Sequence, residues 1–186
     1  MSKHSTWFIG DTHFGHKNII TFKTNNKLIR PFTSIAEHDE TLQKNYLSVV
    51  KPEDRVYFFG DLFSNYALGL IKELPGRKKL IKGNHDNLRW TQYGKVFEDV
   101  VSYRIYPEHG MICSHIPVHP CQLQYRFKCN VHGHLHGNLV YPMIFDWELK
   151  FLKPNKRYIN ICPEHTQFMP VNKDTLVASL KAKKVI

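Results

Sequence analysis

The chain has 186 residues and a formal net charge of +10, with 42% hydrophobic and 13% aromatic residues. This length supports one domain with a sizeable core, so residues 1–186 are expected to form a single domain. The composition fits an ordinary globular protein. No apolar run approaches the about 20 residues that span a bilayer, so neither a transmembrane segment nor a membrane partner is predicted. The apolar run Trp7-Phe8-Ile9 is too short for a signal peptide, which predicts a cytoplasmic location.

The positive charge favours an anionic partner such as a nucleic acid, a nucleotide or a phosphorylated metabolite. General solubility explains the same charge equally well, because the basic residues are scattered along the chain. The four cysteines have no CxxC spacing, which predicts reduced thiols and argues against a zinc–thiolate site. Cys113 lies in an apolar run and is expected in the core. No feature predicts a protein partner.

The first half of the chain alternates strand and helix patterns. Its predicted elements are a strand over 7–10, a helix from the capping box Ser34-Ile35-Ala36-Glu37 to Lys51-Pro52, a buried strand over 55–59, a helix over 66–73 and a strand over 79–82. This β-α-β-α-β order is typical of a parallel sheet with helices packed on it.

The second half is rich in short strands. They are predicted at 100–105, 111–114, 130–132 and 158–161, followed by a closing helix over 171–183 with Asn172 near its cap. The whole pattern predicts a mixed α/β fold with two facing sheets and helices outside. Trp147 and Phe151 are expected in the core.

Five short polar segments each follow an apolar, strand-like run. In chain order they are Asp11-Thr12-His13, Gly60-Asp61, Gly83-Asn84-His85-Asp86, Ser114-His115 and Gly133-His134-Leu135-His136. The carboxyl ends of strands in an α/β sheet line the crevice where ligands bind, so these side chains are expected to meet there. Alternate residues of an extended segment point the same way, so both rings of the last segment can face one site.

Mixed Asp, His and Asn side chains suit divalent ions, here two ions with Mn preferred and Fe, Zn, Ni or Mg as alternatives. Two ions about 3.5–4 Å apart clamp the oxygens of a phosphoester and lower the pKa of a bridging water, which gives a hydroxide nucleophile. Asp61 is the candidate carboxylate between the ions. His85 can protonate the departing alkoxide, and Asp86 can orient the His85 ring.

The five segments, together with Asp11-Thr12-His13-Phe14-Gly15-His16 and Glu37-His38-Asp39-Glu40, resemble the signature of the calcineurin-like metallophosphoesterase superfamily. They are most similar to its small, single-domain bacterial and phage members, over about two thirds of the chain. The resemblance implies a four-layer α/β/β/α sandwich of two mixed sheets. It also implies the ligands of a first metal, Asp11, His13, Asp61 and His136, and those of a second, Asp61, Asn84, His115 and His134. In such a site His85 contacts the phosphate and assists the leaving group, and Asp86 supports His85.

The favoured function is that of a phosphodiesterase acting on nucleotides or nucleic acid, with a phosphomonoesterase of broad specificity as the alternative. A non-catalytic scaffold, like the retromer subunit that resembles this family, would lack ligands or His85, and neither is missing here. A nucleic-acid-binding module with a structural metal would keep a salt-dependent affinity after loss of Asp61 or His85.

The remaining histidines are expected to be structural. His16 can brace His13 or reach the substrate, and His132 can point to the opposite face. The surface or loop positions are expected to be His4, His38, His109, His119 and His165.

Overall fold

The computed structural model describes residues 4–24, 26–142 and 153–186, so Trp147 and Phe151 lie outside the described residues. The fold contains two main sheets and a short antiparallel pair. Its strands are Thr6–Gly10 (β1), Lys23–Thr24 (β2), Lys27–Leu28 (β3), Arg55–Phe59 (β4), Arg77–Ile81 (β5), Asp99–Val101 (β6), Tyr103–Tyr106 (β7), Met111–Ser114 (β8), Cys129–His132 (β9), Tyr158–Asn160 (β10) and Val171–Asn172 (β11).

The first sheet has the order β11-β1-β4-β5-β6, and the second has the order β10-β9-β8-β7. Both sheets are mixed. In the first, β11 runs antiparallel to β1 while β1, β4, β5 and β6 pair in parallel. In the second, β7 runs antiparallel to β8 while β8, β9 and β10 pair in parallel.

Six α-helices accompany the sheets among the described residues. The helices are Ile35–Val49 (α1), Asn65–Glu73 (α2), Trp90–Tyr93 (α3), Gln122–Tyr125 (α4), Pro163–Thr166 (α5) and Lys173–Ala182 (α6). Three of them (α1, α2 and α6) have eight or more residues. Ser34 caps α1 by accepting a hydrogen bond from the Glu37 amide, as the capping box predicts. The Glu37 carboxylate accepts from the backbone and hydroxyl of Thr33. Asn172 caps α6 through the amides of Asp174 and Thr175.

The alternating residues of the first sheet divide between two apolar clusters. One face packs against α1 and α2 through buried side chains such as Ile9, Phe58 and Leu42. The opposite face contributes side chains such as Phe8 to a cluster shared with the second sheet and α6. A side-chain period of two places adjacent strand residues on these opposite faces. The two sheets therefore face each other across a common core.

The outer face of the second sheet is covered more thinly. Ile112 and Tyr158 of this face pack against Leu123 of α4 and the following Phe127. The predicted mixed α/β fold with two facing sheets is confirmed. In the described part of the chain, the layer outside the second sheet is a four-residue helix with its flanking loop.

The predicted strand over 100–105 is wrong in one respect. The chain ends β6 at Val101 in the first sheet, passes through Ser102, and enters the second sheet at Tyr103. An apolar run alone does not show which sheet each residue joins, so the run concealed the crossing. The strand predicted at 79–82 begins two residues earlier, at Arg77.

The four cysteines are free thiols, and Cys113 is buried in the cluster between the sheets, as expected. Among the described helices, none combines the length and the apolar character needed to cross a membrane.

Candidate metal centre

The predicted site residues lie where strands of both sheets end. Each stands within a few residues of the C-terminal end of its strand, and the strands are β1, β4 and β5 in the first sheet and β8 and β9 in the second. The residues, in the order of these strands, are Asp11 and His13; Asp61; Asn84, His85 and Asp86; His115; His134 and His136. Because the chain passes from the first sheet to the second between β6 and β7, strand ends of both sheets contribute residues to the site.

The structure brings six of these side chains into two donor sets. In each set, one ligand atom from every member lies within 4.8 Å of the others. The first set is Asp11, His13 and His136, and the second set is Asp61, His115 and His134. Each set therefore combines residues from both sheets.

Asp61, a member of the second donor set, also lies close to the first. Its Oδ2 is 3.8 Å from Nε2 of His13, and its Oδ1 is 3.4 Å from Nε2 of His115. The Asn84 Oδ1 is 2.8 Å from the same His115 nitrogen. The Nδ1–H of His115 donates to the Phe59 carbonyl at 2.7 Å, which leaves a lone pair on Nε2 directed at these oxygens.

This convergence of electron-rich atoms fits divalent cations. In the described part of the chain, the buried Nε2 of His13 has no hydrogen-bond partner. Carboxylate oxygens and neutral imidazoles are ligands that Mn, Fe, Zn and similar ions accept. The histidine nitrogens and the carboxylate and amide oxygens that converge here have no hydrogen atoms between their lone pairs. A bound cation would therefore stabilise this arrangement.

The protonation states of the site agree with this fit. Burial raises the pKa of Asp11 to about 6, even though the nearby His115 and His136 rings act to lower it. Burial also lowers the pKa of His13 well below its usual value, and burial is the largest cause of the lowered pKa of His134. The two imidazoles are thus held neutral, the form that binds metal, and a cation would offset the burial of the Asp11 charge.

Five of the predicted ligands have left-handed backbone conformations. Their φ angles are 42° for Asp11, 48° for His13, 51° for Asp61, 69° for His134 and 48° for His136. Such conformations cost on the order of 1 kcal/mol per residue when a side chain is present. Hydrogen bonds across the site stabilise them: the His134 amide donates to Asp11, and the His13 amide donates to the Asp61 carbonyl.

Glycines allow the strand ends to approach each other this closely. An added Cβ at Gly133 would collide with Oδ2 of Asp11, and one at Gly83 would collide with Asp61. Gly60 has φ +77, and its added Cβ would overlap the backbone nitrogen and Cα of Gly83. Backbone cannot move aside as a flexible side chain can, so this contact requires glycine.

Gly60→Ala is therefore expected to destabilise the metal-free protein by about 3 kcal/mol or more, from the positive φ and the backbone collision together. Gly69→Ala is the matched control. Gly69 lies inside α2 with no atom within 4 Å of an added Cβ, so the change should stabilise the protein by up to about 1 kcal/mol. Urea denaturation with a chelator present measures both changes. Equal unfolding midpoints for the two variants would contradict the close approach of the strand ends.

The structure separates the two residues predicted to handle the leaving group. His85 is exposed at the mouth of the site, with its ring centroid 6.3 Å from that of His13. Asp86 is buried, and its two oxygens accept from the amides of Asp61, Leu62 and Gly83. The carboxylate expected to orient the His85 ring instead fastens the loop after β4 to the loop after β5. Asp86 therefore positions Asp61 through its backbone amide.

The structure gives the contacts of His16 and His132, the two histidines near the site whose roles the sequence left undecided. The Nδ1 of His16 lies 3.3 Å from Nδ1 of His13, and its ring stacks on Phe63 with centroids 3.9 Å apart, which agrees with a bracing role. His132 is buried against Tyr158, and its Nδ1–H donates to the Gly133 carbonyl.

The prediction that His38 lies at the surface or in a loop is wrong, because it is fully buried in α1. Its Nδ1–H donates to Asp39, and its Nε2 accepts from the guanidinium of Arg30. Arg30 also contacts Glu164, which in turn accepts from His136 of the first donor set. Arg30 and Glu164 were not among the site residues predicted from the sequence. The only signal was that His38 and Asp39 stand in a segment that resembles the family.

A third cluster of possible ligands consists of His136, Cys162 and Glu164. Within it, Nδ1 of His136 already donates to Oε1 of Glu164 at 3.1 Å, and Arg30 donates to the same oxygen at 2.8 Å. Burial would raise the pKa of Glu164, but the hydrogen bond from His136 and the charge of Arg30 lower it to about 2. Since Arg30 already balances its charge, this cluster supports the first donor set and is a poor separate cation site.

Two surfaces flank the donor sets. Beside the first set, Phe22 and Phe63 are 43% and 42% exposed and pack on either side of His16; these three rings form an aromatic shelf. Beside the second set is a pocket of about 290 Å³, here called the Lys82 pocket. Its lining residues are Lys82, Gly83, Asn84, Ser102, Ser114, His115 and Ile116. Lys82 forms no ion pair with any other described residue.

Known proteins are similar to this chain in sequence and in fold. The sequence profile of the calcineurin-like phosphoesterase family matches residues 4–165. An uncharacterized protein of Methanocaldococcus jannaschii is 31% identical over 194 aligned positions, which cover 100% of this chain and 97% of that protein. The gene 66 protein of Mycobacterium phage L5 is 32% identical over 170 positions, covering 73% of this chain and 79% of that protein.

Among solved structures, a protein of unknown function from Aquifex aeolicus has a TM-score of 0.64 and 25% identity, covering 94% of this chain and 98% of that chain. The profile match extends across both sheets and includes every strand end of the candidate metal centre. The chain therefore belongs to the calcineurin-like phosphoesterase family.

Proposed function

We propose that this protein is a phosphodiesterase that uses two divalent ions, with Mn preferred, to hydrolyse nucleotides or nucleic acid, and that residues 1–186 form one such domain. The position of Asp61 carries the proposal. Its Oδ2 faces Nε2 of His13, and its Oδ1 faces Nε2 of His115. A carboxylate shared between two sets of Asp and His ligands is an arrangement that suits a pair of divalent ions.

The residues that would hold the ions follow from the two donor sets. Asp61 belongs to both proposed sites. The first would use Asp11, His13, His136 and Asp61, and the second would use Asn84, His115, His134 and Asp61. When bound, such ions neutralise phosphate charge and make water a nucleophile near neutral pH.

The other residues of the site act on protons and position. In the proposed reaction water adds to phosphorus and loses a proton to the solvent as the ester P–O bond breaks. The departing alkoxide takes a proton from a ring nitrogen of His85, which regains it from the solvent. The ring is exposed at the mouth, where a leaving group can reach it. Its backbone amide donates to Oδ1 of Asp61 at 2.9 Å, so the proton donor is tied to the shared carboxylate.

The flanking surfaces support a diester as the substrate. A phosphodiester carries a group on each side of phosphorus. The aromatic shelf lies beside the first donor set and the Lys82 pocket beside the second. An aromatic base can stack on the shelf, and Lys82 can attract a neighbouring phosphate. The formal charge of +10 favours the same anionic substrates.

A metal-reconstitution assay tests the proposal. Chelation should reduce hydrolysis of bis-nitrophenyl phosphate to background, and Mn²⁺ should restore it, since the donor sets need cations. The restored protein is then compared on cyclic nucleotides, single-stranded RNA and DNA, and phosphomonoesters. Diester turnover at least tenfold above monoester turnover is expected. A clear preference for monoesters would favour the broad phosphomonoesterase instead, and a metal-replete protein without any turnover would overturn the enzyme.

A further inference from the structure

We propose that the buried pair of Arg30 and Glu164 is a positioning device that makes the first of the two metal sites able to bind its ion. The proposal rests on the two-metal function above. It adds residues that belong to neither donor set and predicts that their loss affects one ion only.

Glu164 controls the ring of His136. The Nδ1–H of His136 donates to Oε1 of Glu164 at 3.1 Å, which places the lone pair of the neutral ring on Nε2. A carboxylate behind a histidine ligand fixes its tautomer and orientation and increases its basicity. Glu164 thus prepares His136 as a ligand and leaves only one nitrogen free to bind.

Arg30 controls the two other members of the first set through their backbone. It is fully buried, and its Nη2 donates to the Asp11 carbonyl at 2.6 Å while Nη1 donates to the Thr12 carbonyl at 3.2 Å. These carbonyls belong to the turn in which Asp11 and His13 have positive φ. The guanidinium therefore stabilises the turn that aims both ligands.

The two residues act as one unit because each neutralises the other. Nε of Arg30 donates to Oε1 of Glu164 at 2.8 Å, the oxygen that also accepts from His136. Behind them, Nη1 of Arg30 contacts Nε2 of His38 at 2.9 Å, and Asp39 joins His38 to the Gly15 amide. A continuous series of contacts thus runs from the Gly15 amide, through Asp39, His38, Arg30 and Glu164, to His136.

The side chains of the second donor set have supports of their own, and the two sets are joined through the backbone amides of His13 and His134. Phe59 orients His115, and the His85 amide donates to Asp61. Among the described residues, no hydrogen bond joins Arg30 or Glu164 to His115, Asp61 or His134. Loss of the pair should consequently spare the second site.

Mn²⁺ titration of the full-length protein, followed by electron paramagnetic resonance, tests this difference. The wild type is expected to bind two ions that give a magnetically coupled signal. Glu164→Gln should bind one ion with unchanged affinity, lower the affinity for the other by about 10–100-fold, and show the signal of isolated ions. A merely structural role would weaken both ions together or neither.

Two further variants keep the test decisive. Since Glu164→Gln leaves the buried Arg30 charge uncompensated, the double variant Arg30→Gln, Glu164→Gln is measured as well and should show the same selective loss. Glu98→Gln is the matched control, because Glu98 accepts from Arg77 at the same 2.8 Å on the surface. It should bind both ions like the wild type.

The outcomes separate this proposal from the function itself. Two tightly bound ions in a folded double variant, or equal weakening of both, would overturn the positioning role and leave the two-metal function standing. A wild type that binds no Mn²⁺ would overturn both.

Discussion

Replacement of Asp61 by alanine is expected to abolish both metal binding and hydrolysis. The two carboxylate oxygens of Asp61 lie 3.8 Å from Nε2 of His13 in the first donor set and 3.4 Å from Nε2 of His115 in the second. Its removal takes one ligand from each site and the negative charge between two cations. Turnover of bis-nitrophenyl phosphate should fall by at least about 10³-fold, equivalent to several kcal/mol of lost transition-state stabilisation.

The fold of the Asp61 variant should survive. The charge of Asp61 acts to raise the pKa of buried Asp11, so its loss relieves a repulsion in the metal-free protein. Asp99→Ala, at an exposed carboxylate 3.5 Å from Lys79, is a suitable control and should retain both ions and activity. Metal analysis measures how many ions the variant binds, and circular dichroism measures whether its fold is retained. An Asp61 variant that still holds two ions would rule out the shared carboxylate.

His85→Ala is expected to retain both ions and lose about 10²–10⁴ of kcat, the usual contribution of a positioned proton donor. The reason is that His85 is exposed at the mouth and belongs to neither donor set. The size of the loss should depend on the leaving group. A nitrophenolate leaves readily without a proton, whereas an alkoxide such as a ribose oxygen requires one.

Paired assays with an aryl and an alkyl diester measure this dependence. The His85 variant should be impaired more severely on the alkyl ester. An equal loss on both substrates, with two ions bound, would exclude proton donation and point to phosphate binding by His85. Lys95→Ala, at an exposed lysine outside the site, serves as the control for both assays.

Sequence alone located the candidate site because its residues obey a local rule. Asp11 and Asp61 follow buried apolar runs, and such runs form strands whose ends face the crevice. The approximate extents of α1 and α6 were predictable for the same reason, since Ser34 and Asn172 cap them through their own neighbours.

Long-range pairing was not predictable in this way. Arg30 and Glu164 stand 134 residues apart, and neither belongs to a motif whose spacing reveals the other. His38 was expected at the surface or in a loop because it stands outside the five segments, but the Arg30 guanidinium provides it with a buried partner. The partners of Asp86 were equally hidden, because they are backbone amides of a neighbouring strand end. Such contacts depend on the assembled tertiary structure.

The division of each donor set between two sheets has a consequence for the order of events during synthesis. Asp11 and Asp61 emerge from the ribosome early, but their partners His136 and His134 lie more than two thirds of the way along the chain. Neither sheet is a complete chelating unit by itself. Metal binding at the proposed sites would therefore follow the docking of the two sheets. Bound ions would then slow the separation of the two halves, rather than serve as templates around which the chain folds.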